Sequence, residues 1–496
     1  MKSVILAALL LVAGRAQATE YLVKYKNTKG LNAIHEMAAL KSAGMMVVDS
    51  HAPGSYVVVD IAPAAEGEAV TSLMSDSNIE WIHENGEVRA FEAPVDTVAL
   101  KDQWALAKVQ ATKAWQRAGN KGNRKVIVAV IDTGVDYQHR ALSVNMVPGF
   151  DFIRNNADPM DETGRMNPGH GTHCAGVIGA TGLIEGGTVG LSPEVSIMPI
   201  RFLGPTGGGD FNNAVKSIDF AIENGAQVIS ASWGATIARN KVTALIEAVK
   251  RASDKGVIFV VAAANDGRNN DKTEVYPANA TFENTIAVAA STQTDAKASF
   301  SNYGKANVHV AAPGVGILST IPKDGYMEMS GTSMATPLVA GLVALLKAQD
   351  PNLTGAQIRA LIQTTGAKAA IETACACRVD AFNAVDHLLS KKPWMVPAAG
   401  TFDAGSTVAL ANMNLRGKVQ YSSSNPEIMT VDDAGVVTMV KMGTGRILAT
   451  DEAGQQVSTL DFIVGKGAGS VEECPYSESV CRWTCRLFPS RPYCKK

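Results

Sequence analysis

The sequence predicts an α/β fold for the central part of the chain, in which a parallel sheet carries helices on both faces. Unbroken apolar runs, such as residues 126–131 and 256–264, alternate there with helical stretches, as expected for buried parallel strands. Shorter strands and helices alternate upstream of this region. Downstream of a Pro-containing linker, residues 391–397, only short strands follow. We therefore expect a small α+β segment, a large α/β domain and a small β-sandwich, with a cysteine-rich tail at the end.

The N-terminus reads as a secretory signal peptide. A lysine at position 2 precedes an apolar run, and Ala16 and Ala18 fit the small-residue pattern of a cleavage site, which predicts a signal at residues 1–18. The run is too short to cross a bilayer, and no later run is long enough. With 496 residues, 46% of them hydrophobic, and a formal net charge of −2, the chain can build several cores and has no attraction to nucleic acid. We expect a secreted protein.

Residues 19–92 have the pattern of a ferredoxin-like α+β unit. Strands are predicted near residues 21–25, 55–61 and 79–83, and helices near 31–42 and 64–75. The order of strand, helix, two strands, helix and strand is that of a split βαβ sandwich. A stand-alone binding module is the alternative reading of this segment.

Asp132 is the first candidate for chemistry, because it follows the apolar run 126–131. That run predicts a strand buried on both faces, so Asp132 emerges at the carboxyl end, where open α/β sheets place their sites. The alternative is a strand-terminating aspartate in a turn with Thr133 and Gly134.

His170 and Ser333 are the natural partners of Asp132. His170 stands between two glycines that leave it accessible, whereas His173, one helical turn later, is expected to be structural. Ser333 lies where a loop turns into an apolar helix; as an alternative it caps that helix. A serine hydroxyl needs a general base, and the base needs a carboxylate to orient it. The order Asp, His, Ser is that of the subtilisin triad.

With these three motifs in this order, the chain resembles the subtilisin-like serine proteases, or subtilases. The resemblance implies a subtilisin-like catalytic domain at residues 93–390 and a serine endopeptidase that works through an acyl-enzyme, with Asp132, His170 and Ser333 as catalytic residues. It also implies that Asn265 donates its amide to the oxyanion. Two positions depart from the family pattern: Ala264 replaces a common glycine and Leu338 a common histidine. We expect both to affect packing and not mechanism.

Family members hold an extended substrate by backbone pairing, and this chain has matching segments. The resemblance assigns substrate binding to three short segments, which consist of Gly207, Gly208, Gly209, Ser232, Trp233, Gly234, Ala262, Ala263 and Ala264. A flexible surface loop is the alternative for the three consecutive glycines. The small alanines are expected to leave room for the residue before the scissile bond.

Subtilase propeptides resemble residues 19–92 and act as folding aids and intramolecular inhibitors. The resemblance therefore implies a zymogen that removes its own propeptide. We expect the cut between Arg89 and Lys101, because residues 103–115 resemble the start of a mature catalytic domain.

The C-terminal third contains two further segments. Residues 396–465 resemble a bacterial immunoglobulin-like domain of group 2, with no catalytic residues. Residues 470–496 read as a disulfide-rich segment whose pairing stays open and for which zinc is the less favoured alternative. Cys375 and Cys377 could pair with each other or with Cys174. The disulfide candidates of the tail are Cys474, Cys481, Cys485 and Cys494.

The chemistry requires no cofactor, and the sequence leaves structural calcium open. The loop at residues 181–190 offers only Glu185 as an acidic ligand. Other loop acids that could supply oxygen ligands are Asp151, Asp158, Asp161 and Glu162.

We expect a monomer that acts on protein and peptide substrates, with its own propeptide as inhibitor, and with no nucleic-acid partner and no transmembrane segment. The alternative function is a cell-surface adhesion protein that acts through its immunoglobulin-like and cysteine-rich ends. The intact set of Asp132, His170, Ser333 and Asn265 favours the enzyme, because a scaffold has no physical need for all four groups.

Overall fold

The computed structural model describes residues 18–26, 45–91, 103–185 and 187–465. The signal sequence before residue 18, the helix predicted at 31–42 and the four cysteines of the tail lie outside the described residues. The chain divides into two compact units, Met1–Asn85 and Gly86–Lys496. In the described part of the chain, no helix combines the length and apolarity needed to cross a membrane.

The first unit is a four-stranded antiparallel sheet with strand order β2-β3-β1-β4. The strands predicted near residues 21–25, 55–61 and 79–83 are present, and so is the helix predicted near 64–75. The elements are β1 (Thr19–Tyr25), β2 (Met45–His51), β3 (Tyr56–Ile61), α1 (Glu66–Ser75) and β4 (Ile79–Glu84).

We expect His83 to make the stability of this unit dependent on pH. Its ring is buried in β4 and stacks on Trp81 with ring centroids 4.9 Å apart, and burial lowers the pKa of His83 to about 4. Between pH 6.5 and about 4 the unfolded chain binds a proton that the folded unit does not, so stability falls as pH falls. From pH 7.5 to pH 5 we expect a loss of about 2 kcal/mol, measured by urea titration with pulse proteolysis of the Ser333→Ala protein.

His83→Gln is the matched variant, since glutamine has no titration in this range. It should remove most of the difference between the two pH values. An equal loss in both proteins would assign the effect to other groups.

The second unit is built on a nine-stranded sheet with order β18-β19-β15-β14-β12-β10-β6-β8-β7. Every neighbouring pair is parallel except β18 with β19 at one edge, which confirms the predicted parallel sheet. The strands of this region are β5 (Glu87–Ala90), β6 (Ile127–Asp132), β7 (Phe150–Asp151), β8 (Ser196–Arg201), β9 (Gly208–Asp210), β10 (Val228–Ala231), β11 (Trp233–Thr236), β12 (Ile258–Ala262), β13 (Val275–Tyr276), β14 (Thr285–Ser291), β15 (Val310–Pro313), β16 (Ile317–Ile321), β17 (Gly325–Met329), β18 (Ala367–Lys368) and β19 (Cys377–Arg378).

The helices between these strands cover the sheet. The central one begins at Thr332, is buried over almost its whole length, and packs on β10, β12, β14 and β15. Strand residues such as Val128 and Val130 join it in one apolar cluster, which explains why the strands read as continuous apolar runs. The helices are α2 (Trp104–Lys108), α3 (Ala111–Ala118), α4 (His170–Gly179), α5 (Phe211–Glu223), α6 (Thr243–Asp254), α7 (Thr332–Gln349), α8 (Gly355–Thr365) and α9 (Ala381–Leu389).

A separate small sheet has order β13-β11-β5-β9, and its strand β11 begins two residues after β10 and contacts β12. Its strand β5 comes from the segment assigned to the propeptide, and it pairs antiparallel with β9 on one side and β11 on the other. This sheet is the frame of the site described below.

The C-terminal region is all β, as predicted, and consists of short paired strands around an apolar cluster that includes Met429 and Phe462. The strands are β20 (Trp394–Val396), β21 (Gly400–Asp403), β22 (Thr407–Ala409), β23 (Ala411–Met413), β24 (Gln420–Ser423), β25 (Met429–Val431), β26 (Val436–Met439), β27 (Gly443–Gly445), β28 (Ile447–Thr450), β29 (Gln456–Ser458) and β30 (Phe462–Gly465).

The segment predicted as a linker is itself structured. It contains β20, which pairs with β23, so the β region begins slightly before residue 396. Trp394 is buried in the core of the α/β domain, whereas the next residue, Met395, is buried in the core of the β region. Alternate side chains of one strand point to opposite faces, and here the two faces belong to two cores.

Cys375 and Cys377 form a disulfide with each other, with an S–S distance of 1.99 Å. Cys174 is buried, and its thiol donates to the backbone carbonyl of Ser333 at 3.4 Å. Of the pairings left open by the sequence, the structure thus contains the one between Cys375 and Cys377.

Candidate active site

Asp132 and His170 meet at the carboxyl edge of the central sheet. Asp132 is the last residue of β6, and His170 is the first residue of α4; both are buried. Their Oδ1 and Nδ1 atoms are 2.7 Å apart. Gly171 permits this approach, since a Cβ at that position would lie 3.0 Å from the Cβ of Asp132 and would clash with the carbonyl of Gly134.

Ser333 reaches the same region from α7. The N-cap position of that helix is Gly331, so Ser333 is the second helical residue and not its cap. Its hydroxyl lies within hydrogen-bond distance of two backbone carbonyls, that of Ser232 at 3.0 Å and that of Phe91. The hydroxyl of Ser232 donates in turn to the carbonyl of Ser333 at 3.0 Å.

Asn265 has its side-chain amide oriented by α7. Its Oδ1 accepts from the backbone N–H and from the hydroxyl of Thr332, each at 2.9 Å. This places Nδ2 on the other side, where it is buried and has no hydrogen-bond partner within the described part of the chain. A Cβ on Gly331 would lie 3.2 Å from Nδ2 and 3.0 Å from the carbonyl oxygen of Phe91. Both atoms therefore line the small space that the missing side chain of Gly331 leaves.

At Ala264 the structure shows a backbone effect and not the packing effect expected from the sequence. Its backbone φ is +90°, in the region that favours glycine, and its carbonyl accepts from the N–H of Asn302 at 2.9 Å. A glycine is common here because of backbone conformation, and alanine carries strain.

Ala264→Gly should therefore stabilise the protein by about 1 kcal/mol, because relief of an unfavourable φ exceeds the entropy that glycine loses on folding. The measurement is denaturant unfolding in a Ser333→Ala background, which prevents self-digestion. Ala262→Gly is the matched control: it removes the same methyl group from a regular strand and should destabilise by about 1 kcal/mol. Destabilisation by both variants would contradict the strain.

The segments predicted to grip the substrate do hold an extended strand, namely β5 of the same chain. Gly208 and Gly209 pair with Arg89 and Val88, and Gly234 pairs with Arg89 from the other side. Two further backbone hydrogen bonds continue the pattern, from Ala90 N–H to the carbonyl of Gly207 at 2.9 Å and from Phe91 N–H to the carbonyl of Ser232 at 3.1 Å.

The side chains at these positions serve different purposes. The ring of Phe91 lies against Gly234, where a Cβ would come within 2.8 Å of a ring carbon. Trp233 instead faces inward, packs on Phe202 and donates its indole N–H to the carbonyl of Ile131 at 2.8 Å. Ala263 is buried in an apolar cluster with Ile371, so its methyl group contributes to packing beneath the proposed substrate-binding segment.

His173 has a structural environment. Its Nε2 lies 2.9 Å from the carbonyl of Ile317 and 3.1 Å from that of Met327, so the ring donates there. Burial lowers the pKa of His173 to about 3, which keeps the ring neutral. Within the described residues, Asp132, His170 and Cys174 form a cluster of side chains of metal-ligating types, with ligand atoms within 4.8 Å of one another. The hydrogen bond between the first two already accounts for their proximity.

Four of the acids considered as calcium ligands have protein partners. Asp151 and Glu162 both bind Arg201, at 2.9 Å and 2.6 Å. Asp158 accepts from the hydroxyl of Tyr137 at 2.8 Å. Asp161 is buried among donors from its own domain.

Three residues near the site were not singled out for it from the sequence. The sequence places Phe91 in the propeptide without a role and Asp161 among the possible calcium ligands, and it assigns no role to Asn167. The spacing of Asn167, three residues before His170, is the signal that could have found it, because a side chain there can reach the free N–H groups of the helix start.

Comparison with known proteins identifies relatives of this architecture. The profile of the Subtilase family matches residues 123–388, and that of a bacterial Ig-like domain matches residues 417–459. Thermitase from Thermoactinomyces vulgaris is 39% identical over 275 residues, which are 55% of this chain and 92% of thermitase. A thermophilic serine proteinase from Bacillus sp. (strain AK1) is 37% identical over 70% of this chain and 82% of its own length. Subtilisin E from Bacillus subtilis (strain 168) is 32% identical over 71% and 87%.

The family profile covers the α/β domain from before β6 to α9, and so includes Asp132, His170, Asn265 and Ser333. The Ig-like profile falls within the all-β region that follows. This chain belongs to the subtilase family, and it is a subtilisin-like serine endopeptidase with a bacterial Ig-like region after its catalytic domain.

Proposed function

We propose that this protein is a secreted zymogen that cleaves its own chain after Phe91 and then hydrolyses other proteins with the triad Asp132, His170 and Ser333. The observation that carries the proposal is the contact of the Ser333 hydroxyl with the carbonyl of Phe91, while β5 occupies the cleft as a substrate would.

The geometry suits acyl transfer. Because Asp132 accepts the Nδ1–H of His170, the lone pair of that ring lies on Nε2. In the proposed reaction, this atom takes the proton of the Ser333 hydroxyl. The Ser333 oxygen then attacks the carbonyl carbon of Phe91. His170 returns the proton to the leaving amine, and water subsequently hydrolyses the ester by the same steps in reverse.

Asn265 is the proposed oxyanion donor. Its buried Nδ2 lies beside the carbonyl oxygen of Phe91 across Gly331, and Oδ1 is held by Thr332. A donor that is fixed before the reaction stabilises the developing charge without reorganisation, and this is worth about 100- to 1,000-fold in turnover. In the family, the backbone N–H of the nucleophile is the second donor.

Substrate proteins are expected to replace β5 after the cut. They would pair with Gly207, Gly208 and Gly209 on one side and with Ser232 and Gly234 on the other, as β5 does. The residue before the scissile bond would then occupy the place of the Phe91 ring.

The remaining segments complete the proposed precursor. Residues 1–18 direct export, and residues 19–91 form the ferredoxin-like propeptide that inhibits the enzyme until it is removed. The mature chain would begin at residue 92, one residue earlier than the boundary predicted from the sequence. The register of β5 supports this position, because Phe91 is the residue whose carbonyl meets Ser333.

The test is expression of the wild type and the Ser333→Ala variant in parallel, followed by intact mass and by labelling with a fluorophosphonate, which reacts with activated serines. The wild type should lose everything before residue 92 and bind the probe, whereas Ser333→Ala should do neither. Ser330→Ala is the matched control: this nearby serine accepts from Gly316 N–H at 2.9 Å, and its variant should be processed normally.

A wild type that is cut elsewhere would refute the Phe91 register and leave the triad intact. A wild type that stays whole and does not bind the probe, even after another protease has trimmed it, would refute the catalytic proposal.

A further inference from the structure

A buried carboxylate lies behind the catalytic pair. Asp161 belongs to the loop at residues 157–169, which leads into α4, and its side chain is 5% exposed. Its two oxygens accept four hydrogen bonds. The donors are the Thr133 hydroxyl at 2.9 Å, the Asn167 amide at 3.0 Å, and the backbone N–H and hydroxyl of Thr172 at 3.0 Å and 2.6 Å.

The first branch of this network leads to Asp132. Thr133 is its neighbour in sequence, and the N–H of Thr133 donates to Asp132 Oδ1 at 2.7 Å, the same oxygen that meets His170. The Thr133 hydroxyl accepts from Gly171 N–H at 2.9 Å and donates to Asp161. One side chain therefore joins the end of β6 to the start of α4.

The second branch leads to His170. Asn167 Oδ1 accepts from the N–H groups of Gly169 and His170, at 2.9 Å and 2.8 Å, and its amide is held by Asp161. Together with Gly171 and Thr172, whose N–H groups also donate to side chains, the first turn of α4 has its unpaired donors satisfied. His170 stands on that turn, so its ring position depends on this cap.

All four groups that hydrogen-bond to Asp161 act as donors. The Thr172 hydroxyl, for example, accepts from Asp136 N–H at 2.9 Å and so turns its proton to Asp161. Burial raises the pKa of Asp161, and the four donors oppose that rise because they favour the ionised form. A negative charge at the N-terminus of α4 is also favoured by the helix dipole.

The other titratable groups near this network have partners of their own within the described residues. Glu162 binds Arg201 and Arg154, and Asp151 binds Arg201. The carboxylate of Asp136 accepts from the backbone N–H groups of Gln138 and Lys323, and the buried ring of His173 in α4 is neutral. Asp132 is the acid that contacts the ring of His170, and Asp161 is the acid that contacts the turn on which this ring stands.

We propose that Asp161 is a positioning residue for catalysis, whose carboxylate fixes Asp132 through Thr133 and His170 through Thr172 and Asn167. The inference rests on the proposed triad. It assigns to this acid a function in the reaction beyond the stability of the loop, because the same four bonds determine the relative placement of base and carboxylate. Misplacement of reacting groups by a fraction of an ångström is costly in rate.

The main test compares Asp161→Asn with the wild type, using peptide hydrolysis as a function of pH. Reactive serines are counted with the fluorophosphonate, so that misfolded molecules do not enter the rate. Per reactive serine, we expect kcat to fall about 10- to 100-fold with KM within about threefold. The acid limb of kcat/KM should move to lower pH, because loss of a nearby negative charge disfavours the protonated His170.

Asp158→Asn is the matched control, since it removes an exposed carboxylate from the same loop three residues earlier. Its kcat, KM and pH profile per reactive serine should match those of the wild type. If Asp161→Asn also matches the wild type per reactive serine, and only lowers the thermal midpoint, Asp161 is merely structural and the proposal fails.

A second pair of variants decides the question if Asp161→Asn does not fold. Thr172→Ser keeps the hydroxyl that donates to Asp161, whereas Thr172→Val keeps the size and loses the hydroxyl. We expect Thr172→Ser to stay within about twofold of the wild type and Thr172→Val to lose about tenfold in kcat. Equal activity of the two would overturn the proposal.

Failure of this inference is distinguishable from failure of the proposed function. If the wild type does not react with the fluorophosphonate at Ser333, the triad itself is refuted. If the wild type reacts and the Asp161 and Thr172 variants match it, only the positioning role is refuted.

Discussion

Asp132→Asn should lower kcat/KM by about 10,000-fold while leaving the fold intact. Asp132 Oδ1 accepts from His170 Nδ1 at 2.7 Å and from Thr133 N–H. An asparagine at this position can present an N–H to the ring, which favours the tautomer with its proton on Nε2. That ring cannot accept the proton of Ser333. The measurement is peptide hydrolysis by enzyme that a second, removable protease has trimmed to residue 92.

Asp219→Asn is a suitable control, because Asp219 is also a buried carboxylate, and it is paired with Arg251 at 2.7 Å between α5 and α6. We expect this variant to lose stability and keep its activity. If Asp132→Asn retained more than about one hundredth of the wild-type rate, Asp132 would not be the residue that orients the base.

Asn265→Leu should lower kcat by about 100- to 1,000-fold and change KM by less than about threefold. Leucine has a similar size and cannot donate a hydrogen bond, so the Nδ2 atom beside the Phe91 carbonyl is lost. The ground-state strand pairing does not involve this amide, which is why KM should change little.

Thr332→Val separates the donor from its support. It removes one of the two bonds to Asn265 Oδ1 and keeps the backbone bond. We expect a loss of about tenfold or less, because one bond still orients the amide. A loss in Asn265→Leu no larger than that in Thr332→Val would argue against a transition-state role for Asn265.

The main features of the fold follow from the sequence, because buried parallel strands have a strong signature. The apolar run before Asp132 could only be a strand covered on both faces, and its carboxyl end had to be at the edge where parallel strands of this sheet end. The run before Asn265 gives the same result. These residues could be placed in one site because their positions depend on the ends of strands and not on loop conformation.

Residues on loops could not be placed in this way. Asp161, Asp158 and Glu162 look equivalent in sequence, and only the fold shows that Asp161 bonds to residues 28 positions upstream and 11 downstream. The strain at Ala264 is likewise invisible, because φ is fixed by contacts such as that with Asn302. The sequence could limit the predicted cleavage position only to the range from Arg89 to Lys101. The proposal of a single position depends on the register of β5, which the sequence does not show.

The burial of β20 in two cores would affect how the enzyme acts at a surface. With Trp394 in one core and Met395 in the other, β20 connects the Ig-like region to the α/β domain through packed side chains, and we expect this packing to restrict movement between the two. A molecule bound by that region would then lie within a narrow range of distances and orientations relative to the catalytic cleft. With a flexible linker, many nearby peptide bonds would experience a moderate effective concentration of the active site. With a rigid connection, the effective concentration would be high only for peptide bonds at the matching distance.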